Sequence, residues 1–179
     1  METADLEQLK YLIGKFIAPE QYTQEYLSEK IRPIASFPQR LRQALESLTD
    51  SQLDTPYRSE GLTVRQVLHH FADSHMNAYI RIKWALTESN PTIKYYFEDR
   101  WSATHDNLTI PVAPTLALLD GRHYRLGYLL ERLPESDLQK SFIHPEHSRE
   151  FQLTKSSGFM HRMAHTIWRK SGLVKLQGW

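Results

Sequence analysis

Between Thr63 and Glu88 the chain reads TVRQVLHHFADSHMNAYIRIKWALTE, and neither proline nor glycine intervenes before Pro91. Thr63 with Gln66 three residues later is the capping-box pattern, so the stretch is predicted as one long helix starting there. At about 100° per residue, Val64, Val67, Leu68, Phe71, Ala78, Ile82 and Leu86 form a broad apolar face. Met76 and Ile80 make a smaller apolar group on roughly the opposite side. Between them runs a polar strip of Gln66, His70, Asp73, Ser74, Asn77 and Arg81, ending at Trp84. A surface helix has one apolar stripe and one solvated face. A polar strip hemmed by apolar residues on both sides is the expected wall of a pocket.

The rest of the chain must cover that helix. A length of 179 residues with 40% hydrophobic content suits a single domain, 1–179, with a substantial core. The 22 basic and 21 acidic residues are spread along the chain, with no basic tract, so neither nucleic acid nor an anionic membrane is an expected partner. No apolar run nears the roughly 18 residues of a membrane span, and the start lacks a signal-peptide pattern, so the expected location is cytoplasmic. The absence of cysteine excludes disulfides, thiolate ligands and cysteine nucleophiles. A metal would have to be held by nitrogen and oxygen. A thiol could enter the chemistry only with a substrate.

Along the chain, the first two dozen residues read as an extended arm. A helix is predicted from about Thr23, bent near Pro33 and Pro38, with Leu41, Ala44, Leu45 and Leu48 at helical spacing. Asp50 to Tyr57 reads as a turn. Asn90 to Val112, with Pro91, Pro111 and four aromatic residues, reads as a long loop of the kind that serves as a lid or a separate packing element. A third helix is predicted over Pro114 to Leu133, its seam formed by Leu116, Leu119, His123, Leu126, Leu130 and Leu133. Phe142–His144 and Glu150–Leu153 read as a minor hairpin. A last helix is predicted from Thr154 to Lys170, with Gly172 placed for a C-cap. The expected fold is an all-α four-helix bundle with one β-hairpin.

Chemistry is to be sought among nine histidines. His161 and His165 stand four apart on the last predicted helix, a spacing that lets two imidazoles reach one ion. Taken alone the pair reads more readily as two partly exposed helix histidines. It is not the zinc-protease pattern, because Arg162 follows His161 and there is no glutamate at that position. On the long helix, His75 falls in the apolar face and reads as a core histidine, and His69 falls towards Met76 and Ile80. His70 lies in the polar strip, where a ligand is expected.

The run from Glu60 to Asn77 resembles the first-helix signature of the DinB/YfiT-like superfamily. The likeness continues through Tyr79–Arg81, Leu86–Glu88, Phe142–Pro145, His161–His165 and Gly178–Trp179, and back to Tyr11–Gly14 and Asp50–Arg58. The resemblance implies a four-helix bundle holding a divalent metal on three histidines, and an all-nitrogen ligand set without cysteine suits zinc or nickel. By motif the three are His70, His161 and His165. The chain departs from the family pattern at Leu62, where tryptophan is usual, at Gly158, and at Met160, Met163 and Ala164, where extra histidines are usual.

The implied activity is that of a metal-dependent thiol S-transferase using bacillithiol or a similar small thiol, with Arg81 and Asn77 holding the thiol's carboxylates. For Arg81 an ion pair with Asp73 is the structural alternative. The other functional readings are a hydrolase using metal-activated water and a non-catalytic metal-binding stress or dimerisation module. The expected partner is a small-molecule substrate, and Met76 with Ile80 could serve a homodimer. His144 and Trp101 also match family positions that could border the pocket.

Overall fold

The computed structural model describes residues 24–56, 61–146 and 149–153. The segments predicted as an N-terminal arm and a last helix, with His161 and His165, lie outside the described residues. In chain order come α1 (Gln24–Ala35), α2 (Phe37–Leu45), α3 (Asp50–Leu53), α4 (Val64–Thr87), α5 (Glu98–Ser102), α6 (His105–Thr109), α7 (Val112–Leu130) and α8 (Glu135–Leu138), then β1 (Ser141–His144) and β2 (Arg149–Gln152).

Helix α4 is the predicted long helix, and its start is set by side chains. The Gln66 amide donates to Thr63 Oγ1 at 3.1 Å and Thr63 N–H to Gln66 Oε1 at 2.9 Å, closing the capping box. It ends at Thr87, three residues before Asn90 takes a left-handed φ of 47° ahead of Pro91. The segment expected as a plain turn after Leu48 instead forms α3. Thr49 and Gln52 repeat the same capping box, which suffices to nucleate one helical turn. The long loop expected from Asn90 to Val112 is likewise corrected. It contains α5 and α6, and its first residues join the hairpin, with Ile93 N–H donating to Ile143 O and Ile143 N–H to Pro91 O. β1 and β2 pair antiparallel, Phe142 opposite Phe151.

The apolar core has two parts. One gathers Phe37, Leu41, Leu68, Phe71, Leu116 and Leu119 around the first half of α4. The other gathers Ile34, Ala78, Ile82, Leu126, Leu130 and Phe142 around its second half. The predicted seam of α7 is buried throughout, His123 included. Between the two parts lies a layer of polar atoms whose cause is Pro38. Having no N–H, it cannot satisfy the carbonyl of Ile34 one turn earlier. His123 Nδ1 donates to that carbonyl at 2.7 Å.

His123 is then neutral with a bare Nε2, which accepts from His75 Nδ1 at 2.9 Å. Phe37 packs on both imidazoles, with centroids 5.2 Å and 5.4 Å away. Beside them the buried Arg122 guanidinium donates to the His75 carbonyl. Burial depresses His123 to about 3, and burial together with the His123 and Arg122 charges holds His75 well below the usual imidazole range.

These depressed values set an acid dependence of stability. In the unfolded chain both histidines take up protons below about pH 6.5, whereas the folded chain resists uptake until far lower. Their contribution is therefore complete above pH 6.5 and is lost as pH falls towards 3, at up to about 1.4 kcal/mol per pH unit for each proton. Asp73, raised by burial, opposes this only near the acid end. Denaturant midpoints at pH 7.5, 6, 5 and 4 should fall progressively. A midpoint unchanged down to pH 4 would contradict the buried neutral pair.

Candidate metal centre

The polar strip of α4 is covered, and the cover is the segment expected as a loop. Successive turns of the strip each hold a piece of it. Gln66 Nε2 donates to Ser102 O at 3.0 Å, and Asp73 Oδ2 accepts from Asn107 Nδ2 at 2.9 Å. Asn107 also donates to Trp101 O at 2.8 Å, tying α5 to α6. Tyr96 lies against Ser74 and against the Arg81 guanidinium, whose carbon is 5.8 Å from the ring centroid. The strip is thus a wall with a roof.

Under that roof His70 is only 8% exposed. Its Nε2 faces Glu98 Oε2, the first residue of α5, at 3.9 Å. Nothing in the spacing of the sequence singled out Glu98. It lies 28 positions from His70 and is brought there by the pinning of α5 through Gln66 and Asn107. Among the described residues no group of three or more histidine, cysteine or carboxylate side chains gathers at one point. A three-histidine set would need His161 and His165.

Arg81 is 9% exposed. The ion pair with Asp73 considered from sequence is not formed, because Asp73 is bonded to Asn107 instead. The Arg81 Nε is buried without a hydrogen-bond partner, and desolvation pulls the guanidinium below its usual range. Asn77 donates one of its two side-chain N–H groups to Asp73 O at 2.9 Å, so its own helix takes up one of its two donors.

The other histidines divide by environment. His75 is the core histidine its wheel position implied. His69 lies elsewhere than the Met76–Ile80 side suggested: it is buried, with Nε2 donating to Ile110 O at 3.2 Å and Nδ1 accepting from Thr115 Oγ1 at 2.7 Å. That fixes it as a neutral strut between α4 and the start of α7. His144 packs edge-on to Tyr95 and Phe151, and Trp101 to Tyr96.

An α-helical protein with a small hairpin, built around one long helix whose buried imidazole faces a carboxylate under a pinned cover, is the class these residues define. A family model described as the DinB superfamily matches residues 35–167. The protein YfiT of Bacillus subtilis, named as a candidate metal-dependent hydrolase, is 41% identical over 172 residues, covering 96% of this chain and 97% of its own. A relative in Bacillus mycoides with the same kind of name is 45% identical, over 90% of this chain and 93% of its own.

The solved structure of YfiT, described as having an unusual four-helix bundle topology, superposes with a TM-score of 0.85 at 40% identity, covering 96% of this chain and 99% of that one. The chain belongs to the DinB superfamily, and its fold is the four-helix bundle of YfiT with a two-stranded antiparallel sheet.

Proposed function

We propose that the protein is a metal-dependent enzyme whose ion is held by His70, His161 and His165, and that it joins a small carboxylate-bearing thiol to an electrophile. His70 fits such a role: a buried imidazole turned to a carboxylate, in a polar strip and outside the apolar core, is a donor that zinc or nickel accepts. A divalent ion there would supply a Lewis acid that favours the deprotonated form of a thiol or of water.

The observation that carries the thiol reading is Arg81. Among the described residues no carboxylate pairs with this buried guanidinium and its Nε has no hydrogen-bond partner, an arrangement that costs stability and that an incoming carboxylate would relieve. Arg81 would hold the thiol's carboxylate while the cover of α5 and α6 limits water. The sulfur gives up its proton, attacks the electrophile and displaces its leaving group. The absence of cysteine leaves the chain itself unreactive towards such electrophiles. Hydrolysis by activated water is the second reading, favoured by the names of the relatives.

The test supplies bacillithiol and monochlorobimane to the zinc-loaded protein, beside a simple ester. Thiol conjugation faster than in a metal-stripped control is expected. Ester cleavage without conjugation would transfer the assignment to hydrolysis. Arg81→Met should raise the KM for the thiol about 10- to 100-fold, from the loss of a charge-assisted pair, while leaving thermal stability unchanged or higher. An unchanged KM would remove Arg81 from the site.

A further inference from the structure

The segment from Tyr96 to Asn107 is fastened to α4 at several separate points, and the one carboxylate it carries against His70 is Glu98. The 3.9 Å between His70 Nε2 and Glu98 Oε2 is too long for a hydrogen bond between those atoms. It is within about half an ångström of the roughly 3.4 Å that separates two donors each about 2 Å from a tetrahedral first-row metal, so a small shift of the half-exposed Glu98 side chain would let both serve one ion. The Glu98 side chain is 53% exposed, so it is reached from solvent while Oε2 faces the buried imidazole. Asp99 and Arg100, its neighbours on α5, are exposed, and Arg100 lies over the Phe97 ring instead.

We propose that Glu98 belongs to the metal centre, contributing a carboxylate oxygen to the donor set that His70 begins. The inference rests on His70 being a ligand and adds to it an oxygen donor carried by the cover. Two consequences follow. The donor set becomes mixed, nitrogen with one anionic oxygen, so the charge left on a divalent ion is reduced by one. The cover also becomes part of the metal's own surroundings, so that α5 closes on the strip more firmly when the ion is bound.

Competition with a chromophoric chelator for zinc, read on the full chain, tests this without reference to activity. Glu98→Gln and Glu98→Ala should each weaken zinc binding by about 100-fold or more, since each removes a direct anionic donor and so exceeds the loss typical of a supporting partner. Asp99→Asn, which removes the same charge one residue away, should change it less than twofold. Because Glu98 is half exposed, both variants should retain the wild-type melting temperature without metal, and the gain in melting temperature on adding zinc should shrink in step with affinity.

His70→Ala is the reference. If it binds zinc as the wild type does, the metal reading itself fails and the inference with it. If it binds weakly while the Glu98 variants match the wild type, or if Asp99→Asn loses as much as they do, Glu98 is no part of the centre.

Discussion

His123→Ala should lower the unfolding free energy by about 3 to 5 kcal/mol and the melting temperature by roughly 10 °C. Truncation removes two buried hydrogen bonds together: the one to Ile34 O and the one from His75. The Ile34 carbonyl then has no substitute, because the residue that would satisfy it in a continuous helix is Pro38. The His75 N–H is stranded as well, and a cavity opens beside Phe37. Each stranded buried group costs about 1 to 3 kcal/mol and the cavity adds to it.

His75→Ala should cost somewhat less, since it leaves the Ile34 carbonyl satisfied. The double variant should fall short of the sum, because the pair shares one bond. Denaturant titration of the four proteins measures this. A loss under 1 kcal/mol for His123→Ala would show that the polar layer does not hold α1 to α7.

His70→Ala should have the opposite profile: metal affinity down by about three orders of magnitude or more, with metal-free stability changed by less than about 1 kcal/mol, while His75→Ala leaves affinity within a few-fold. Removing a protein ligand takes away a direct bond to the ion, a larger loss than the 10- to 100-fold typical of supporting residues. The contrast follows from the helix wheel. The two positions lie about 140° apart on α4; one turns to Glu98 under the cover and the other to His123 in the core. Equal effects of the two substitutions on metal affinity would mean that the wrong face of α4 had been taken for the pocket wall.

The sequence showed α4 well because every local signal agreed there: the Thr63–Gln66 box, an unbroken run and a clean apolar face. The α7 seam was legible for the same reason, and even its odd member, His123, was placed correctly in the core. What periodicity could not show was why a histidine belongs there, since that depends on a carbonyl freed by a proline 85 positions earlier in the chain.

The stretch from Asn90 to Val112 was misread as a loop because α5 and α6 have only five residues each, too few for a periodic pattern, and no side-chain cap marks their starts. Missing them meant missing Glu98, which reaches His70 only through tertiary fastening. The polar strip was legible as a wall. Its roof was not, and so the Arg81–Asp73 pair, plausible on an isolated helix, gave way to the bond between Asp73 and Asn107.

The measurement that bears most directly on the account is the metal content of the purified protein. Elemental analysis should find one zinc or nickel per chain in the wild type and none in the His70→Ala, His161→Ala, His165→Ala variant at the same purity. Metal content no higher in the wild type than in that variant would contradict the central claim.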